Sequence, residues 1–358
     1  MRIKLLKQFD RIFGKLLATF LPVPKQQKCA QFQRFLFVRP GGIGDAVHLV
    51  PALLLLKKNY PDCQIDVLAE KRNHGVFKLC PDIERIFLYD RWSDLRTLLG
   101  QDYDVILDTE QWYRLSAVVS RFVRSRWKIG FATNERGRMF THVVDYSQAD
   151  YEVKSFLRLI EPLGIPQCHD VSPQFLSIPE PAHAEATKHL QSYTYEKFVV
   201  MAPFASVRER QWAAAKFRGV AGWCLNQGYG VVVVGGKEDR TVSEDMFEDC
   251  KIFNLAGRLS LAGTAAVMTR SELVLSMDSG PLHLAVGLGL PTVSIFGAGI
   301  EEKWAPKGKK HLVLGKNLPC SPCTIFGTTP RCPIDVQCML QITVDDVVLG
   351  MQGLLKKL

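Results

Sequence analysis

Four strings in this 358-residue chain gather side chains whose types and spacing suit chemistry on a charged ligand. Asp278-Ser279-Gly280-Pro281-Leu282-His283 follows the apolar run Leu273-Val274-Leu275. Asp, Ser and Gly suit a strand-to-helix turn, and Pro281 suits the first turn of a helix, where a missing N–H costs nothing. Free N–H groups at such a turn face an anion, for example a diphosphate. His283, within the first turn, could donate to a phosphate or a ribose. A buried structural histidine is the plainer reading of His283 alone, but the length of the whole string favours a functional one. Ala205-Ser206-Val207-Arg208-Glu209-Arg210-Gln211-Trp212 sits after another apolar run, Phe198–Met201. Its hydroxyl and cation fit phosphate binding, and an exposed basic loop is the alternative.

The third string is Arg39-Pro40-Gly41-Gly42-Ile43-Gly44-Asp45. Its glycines let the backbone turn tightly and approach a ligand. The spacing is neither the dinucleotide fingerprint nor a P-loop, because no Gly-Lys-Ser/Thr follows. Asp45 falls where a helix begins, so by itself it reads as a carboxylate stabilised by the helix dipole. The fourth string is Cys320-x2-Cys323-x8-Cys332-x5-Cys338, in a loop with Pro319, Pro322, Pro330 and Pro333. It reads as a tetrahedral zinc or iron site or as reduced thiols packing an irregular loop. The scattered Cys29, Cys63, Cys80, Cys168, Cys224 and Cys250 read as small hydrophobes or indifferent thiols.

The elements that must position these strings are legible as alternating strands and helices. Phe35–Val38, Ile65–Leu68, Ile86–Tyr89 and Val105–Leu107 are short apolar strands, with a helix over about 46–59. After a proline-rich passage near 165–182 the pattern restarts at Phe198–Met201, Val231–Val234, Leu273–Leu275 and Thr292–Phe296, with a helix over 213–227. Such alternation implies parallel sheets covered by helices on both faces. The expectation is two doubly wound α/β domains, 34–178 and 179–340, the second carrying the cysteine loop 319–338. A C-terminal helix is expected over 341–358. In such sheets ligands bind at the carboxyl ends of the strands, where three of the four strings fall.

Residues 1–33 are expected to form an extension. From Ile3 to Leu21 apolar residues recur at helical spacing, opposite Arg2, Lys4, Lys7, Arg11 and Lys15. This is a basic amphipathic helix, either lying in a membrane interface or packed on the protein's own surface. The formal charge of +9 is concentrated in two places. Residues 1–33 hold seven basic residues against Asp10, and residues 114–138 hold Arg114, Arg121, Arg124, Arg126, Lys128, Arg136 and Arg138 against Glu135. The rest of the chain is slightly acidic, so two patches need explaining rather than a basic protein. Apolar residues are 47% and charged residues 23%, an ordinary globular balance. No run is long enough to span a bilayer. The thiol usage points to a reducing cytoplasm.

Taken in order, the strings resemble glycosyltransferase family 9, the ADP-heptose:lipopolysaccharide heptosyltransferases. The resemblance rests on Gly44-Asp45 with Pro51, on Arg210-Gln211-Trp212, and on Asp278 through Gly297, with Asn254-Leu255-Ala256-Gly257 and Trp304-Ala305-Pro306 in support. It covers about 34–310. It implies the B-type glycosyltransferase fold, two Rossmann-like domains facing each other across a cleft. It implies Asp45 as the general base, Ser206 and Arg210 as holders of the donor diphosphate, and Asp278, Ser279, Gly280 and His283 as contacts to nucleotide and sugar. The acceptor side is expected at Gly42 and Gly44 and on the basic segment, through Arg121, Arg124, Arg126 and Lys128. No Asp-x-Asp is placed to bind the diphosphate, so inverting transfer without a catalytic metal is expected, with zinc or iron confined to Cys320, Cys323, Cys332 and Cys338. The implied partners are an ADP-sugar and an anionic lipid-linked glycan at the inner face of the inner membrane, and not nucleic acid. Two alternatives are another sugar nucleotide or a protein acceptor on the same fold, and a non-catalytic sugar-nucleotide binder. Departures from the family are the extension and Arg210, where lysine is common.

Overall fold

The strands form where the chain is apolar on both sides. Phe35, Leu36, Phe37 and Val38 are fully buried, as is the whole run Leu273–Met277. The structure is a computed structural model and describes residues 10–27, 31–166 and 172–357. It contains two compact units, Met1–Val171 and Ser172–Leu358.

The described part of the N-terminal segment is a π-helical turn, Asp10–Gly14, that runs into α1 (Lys15–Phe20). The first unit continues with β1 (Arg34–Arg39), α2 (Ile43–Asn59), β2 (Gln64–Ala69), α3 (His74–Phe77), β3 (Ile83–Leu88) and α4 (Trp92–Leu99). Then follow β4 (Asp102–Asp108), α5 (Arg114–Phe122), β5 (Arg124–Phe131), β6 (His142–Val144) and α6 (Glu152–Arg158). Its six strands are all parallel, in the order β3-β2-β1-β4-β5-β6.

The second unit runs α7 (Glu180–Leu190), β7 (Phe198–Ala202), α8 (Ala214–Asn226), β8 (Gly230–Val233), α9 (Asp239–Met246), β9 (Phe253–Asn254) and α10 (Leu261–Met268). It continues with β10 (Leu273–Met277), α11 (Gly280–Gly287), β11 (Thr292–Ile295), α12 (Glu301–Trp304), β12 (His311–Leu314), α13 (Gln337–Leu340) and α14 (Val344–Leu355). These strands are also parallel, in the order β12-β11-β10-β7-β8-β9. Numbered within its own unit, each sheet reads 3-2-1-4-5-6. Strand order therefore reverses once per unit, between β1 and β4 and between β7 and β10. Loops leaving the carboxyl ends of these strand pairs diverge to opposite faces and open a crevice.

The division falls at 171/172, a few residues before the 178/179 boundary expected from the prolines. The reason is local: the N–H groups of Phe175 and Leu176 both donate to the Gly287 carbonyl, at 2.9 and 3.0 Å. The segment before α7 is thereby tied to the second unit.

The expected amphipathic helix lies partly outside the described residues, including Arg2, Lys4, Leu5, Leu6, Lys7 and Phe9; Lys28, Cys29 and Cys168 also lie outside them. What is described is docked. Ala18 is buried with Ala117, Val118, Met139 and Phe140. Asp10 Oδ1 accepts the Leu115 N–H at 2.7 Å. Tyr113, the residue before α5, offers no side-chain cap, so a carboxylate from the extension does that job. The opposite face stays open, with Ile12, Leu16 and Phe20 exposed.

Candidate active site

In the first unit the site begins with Arg39, the last residue of β1. Its side chain is buried beneath the turn that follows. Nη1 donates to Thr109 O at 2.7 Å, Nη2 to Glu110 Oε2 at 3.2 Å, and Nε to Pro40 O at 2.6 Å. Gly41 has φ +118°, and a Cβ there would stand 2.8 Å from Arg39 Nη2. Only glycine combines that backbone with that neighbour. Gly42 is the N-cap of α2, and only Asp45 Oδ2 and the Gly44 N–H approach the space a Gly42 side chain would fill. The Asp45 carboxylate, half-buried in the first turn of α2, thus borders the space over the glycine turn.

Behind this turn lies a layer of polar groups from the end of β4. Glu110 Oε1 accepts the N–H groups of Gln111, Trp112 and Tyr113, while Oε2 faces Arg39. Gln111 Nε2 donates to Glu152 Oε1 at 2.5 Å, and the Tyr146 hydroxyl donates to Glu152 Oε2 at 3.0 Å. Burial, the Glu152 carboxylate and the charge on Asp45 all hold the Tyr146 phenol protonated. Next to it, Arg136 and Asp108 form a fully buried ion pair at 2.7 Å. Sequence reading missed Glu110, Gln111, Tyr146 and Glu152. The available signal was position, since Glu110 and Gln111 directly follow a strand adjacent to the reversal.

The structure does not bring Arg121, Arg124, Arg126 and Lys128 to this end. Arg124 and Arg126 start β5, and Arg121 and Lys128 gather near the end of α5, at the amino edge of the parallel sheet. Arg124 pairs with Asp102 at 3.3 Å and Arg126 with Asp104 at 3.8 Å. Lys128 is buried and donates to Ser120 O, Val123 O and Ser125 Oγ, holding the last carbonyls of α5. Arg121, Arg124, Arg126 and Lys128 therefore do not form one open basic patch beside Asp45. Arg114 and Arg136 are paired within the fold, and the local excess of positive charge is largely met by carboxylates distant in sequence.

In the second unit Asp278 directly follows β10, with its carboxylate buried. Arg210 Nη1 stands 3.2 Å from Asp278 Oδ2, and Arg210 Nη2 donates to Thr324 Oγ1 at 3.3 Å. The guanidinium lies 5.6 Å from the Trp304 ring centre, so an ion pair, a hydroxyl and an aromatic face set its plane. Gly299 closes on the same carboxylate: a Cβ there would stand 2.0 Å from Asp278 Oδ2. Ser279 is the extended N-cap of α11 yet makes no capping bond, and its buried Oγ finds no acceptor or donor among the described residues. The first turn of α11, with Gly280 and Pro281, is therefore not capped by Ser279. His283 is buried on that helix, consistent with the plainer reading of its side chain as much as with a ligand contact. Ser206 is exposed on the β7 loop and joins this cluster by no hydrogen bond among the described residues.

The cysteine loop forms part of the same neighbourhood. Ser321 Oγ donates to Gly297 O, and the N–H groups of Cys323 and Thr324 donate to Ala298 O. Glu209, beside Arg210, accepts the Cys332 N–H at 3.2 Å. Burial pushes the Cys323 and Cys338 thiols up, and the neighbouring cysteines add to it. Among the described residues no three His, Cys, Asp or Glu side chains stand together in an arrangement that holds a metal ion.

Comparison with known proteins gives consistent matches. A family model described as glycosyltransferase family 9 (heptosyltransferase) matches residues 91–329. Lipopolysaccharide heptosyltransferase 3 of Escherichia coli is 27% identical over 287 residues, 74% of this chain and 83% of that protein. A glycosyltransferase family 9 structure from Veillonella parvula aligns with a TM-score of 0.79 at 18% identity, covering 93% of this chain and 100% of that one. The structure of E. coli ADP-heptose LPS heptosyltransferase II aligns at 0.75 and 19% identity, covering 91% and 99%.

Proposed function

The chain belongs to glycosyltransferase family 9, and on that premise we propose that it moves a heptose from ADP-heptose to a lipopolysaccharide core or related lipid-linked glycan. The observation that carries this reading is the placement of its functional side chains. Asp45 follows β1 at one strand reversal, and the Arg210–Asp278 pair joins β7 to β10 at the other. The similar proteins, a lipopolysaccharide heptosyltransferase and an ADP-heptose heptosyltransferase, suggest the sugar, the nucleotide and the acceptor class.

In this reading Asp45 takes the proton of the attacking hydroxyl, and the diphosphate leaves from the opposite face of the sugar with inversion. A carboxylate is a weak base toward an alcohol, so its proton transfer comes late, and general-base help of this kind is worth about 10²- to 10⁴-fold. The larger share comes from groups aimed at the charge that grows on the departing diphosphate: Arg210 and the uncapped first turn of α11. Asp278 holds the Arg210 fork in plane and presents its other lone pairs to a hydroxyl of the donor. Ser206, Gly280 and His283 complete the donor side, and Gly42 and Gly44 admit the acceptor beside Asp45. Catalysis proceeds without a metal.

Two further parts of the proposal concern the surroundings. The four cysteines take a structural zinc or iron. The clustering of the four cysteines in one short loop supports this. Loading requires Cys320, Cys323, Cys332 and Cys338 to close on one point, since among the described residues no three of them stand together so as to hold a metal. Purified full-length protein with under about half an equivalent of either metal would contradict it. The extension places the protein at the inner face of the inner membrane, supported by the apolar face of α1 with Arg11 and Lys15 beside it. No helix among the described residues is long and apolar enough to cross a membrane.

The deciding experiment pairs Asp45→Ala with a nucleotide screen. Transfer should be abolished while ADP affinity is retained, and ADP should raise Tm more than UDP, GDP or CMP. Loss of ADP binding together with transfer would make Asp45 structural, and preference for another nucleotide would replace the donor.

A further inference from the structure

The N-terminal extension creates a second recess on the first unit. A cleft of about 400 Å³ opens where the π-helical turn and α1 meet the segment that follows β4. Its aromatic lining is Trp112 and Tyr113. Its basic lining is Arg11 and Lys15, which make no ion pair among the described residues. Asn134 adds an amide at the rim.

The floor is a built polar structure rather than a chance gap. Arg114 is buried there, bonded to Glu135 Oε2 and Asn134 Oδ1 at 2.5 Å each, and its Nη1 stands 3.9 Å from Asp10 Oδ2. Asp10 in turn holds the Leu115 N–H, so the two carboxylates on the floor and rim are occupied by Arg114. Glu135 also lies in the field of Lys15, without a direct ion pair, so Arg11 and Lys15 remain available to meet a ligand. The aromatic lining is held by Glu110, whose Oε1 accepts the N–H groups of Trp112 and Tyr113. The same carboxylate grips Arg39 under the Asp45 turn. The recess and the turn therefore share one buried anchor at the carboxyl end of one sheet.

Aromatic faces suit the C–H face of a sugar ring, and two cations outside any direct ion pair suit an anionic substituent on it. We infer that this recess is a subsite for a phosphorylated sugar of the acceptor, held away from the reacting hydroxyl. The inference rests on the glycosyltransfer reading and specifies the chemistry of its acceptor.

The test uses the full chain, with mannose 6-phosphate and mannose as probes in ligand-observed NMR titrations, and ADP as an independent probe. The phosphorylated sugar should bind at least five-fold more tightly than the neutral one. The double variant Arg11→Ala/Lys15→Ala should erase that preference, Trp112→Ala should weaken both sugars, and ADP affinity and Tm should hold in each. Equal binding of the two sugars, or a preference that survives Arg11→Ala/Lys15→Ala, overturns the subsite. In that case ADP binding and its sensitivity to Arg210→Ala are unaffected if the glycosyltransfer reading is right. A wild-type chain that fails to bind ADP defeats that reading instead, and the mannose 6-phosphate preference is then read on its own.

Discussion

At the scale of single residues, the second unit turns on the fork of Arg210. Its two ends reach different groups, Asp278 and Thr324, while its face rests near Trp304. A lysine carries the same charge but presents a point, not a plane. Arg210→Ala should lower kcat by about 10²- to 10³-fold, the usual loss when one donor to a developing anion is removed. Arg210→Lys should recover only part of it, as steady-state rates at saturating donor would show. Full recovery by lysine would mean that charge alone suffices and that Thr324 and Trp304 set nothing. Asp45 is simpler: it borders the space over the glycine turn, and the buried Arg39 holds that turn.

At the scale of elements, α5 is held at both ends by residues outside itself. Asp10 caps its start, and Lys128 gathers the carbonyls of Ser120 and Val123 at its end. Burial, with a smaller push from Arg121, brings the Lys128 ammonium down to about 7. Its folded value lies below the unfolded value of about 10.4, so above pH 7 the unfolded chain binds a proton that the folded chain has released. Stability attributable to Lys128 is therefore lowest below pH 7 and rises toward pH 10. Urea midpoints of wild type minus Lys128→Met should shift in favour of wild type between pH 6 and pH 9, and a constant difference would contradict the assignment. This end of the molecule also shows where sequence reading runs out. The strands at Phe35–Val38 and Leu273–Leu275 were legible because burial on both faces leaves an unbroken apolar run. β5 begins Arg124-Ser125-Arg126, with Arg124 and Arg126 exposed, so it read as a basic surface. The carboxylates that answer those arginines, Asp102 and Asp104, lie 22 residues upstream, as Asp108 lies upstream of Arg136, beyond any local count of charge. Candidate site residues on glycine turns were legible in the sequence; Glu110 and Glu152, whose bonds reach Arg39 and Gln111 far along the chain, were not.

At the scale of the whole molecule, two units with the same strand order each place their motifs at the reversal, which is why three short strings said so much about a chain of this length. The extension adds a surface to that plan. Ile12 and Phe20 are exposed at helical spacing while Ala18 is buried. Ile12→Asp/Phe20→Asp should reduce flotation with vesicles rich in anionic lipid and leave Tm unchanged; unchanged flotation would remove the extension from membrane contact. The Asp10 cap has one more consequence, in time rather than space. Its partner Leu115 lies 105 residues later in the chain, and at synthesis rates of roughly 5–20 residues per second that is a delay of about 5–20 seconds. Through that interval residues 10–20 are outside the ribosome with neither their cap partner nor the apolar seat for Ala18 yet made. Residues 10–20 thus wait undocked for partners made more than a hundred residues later.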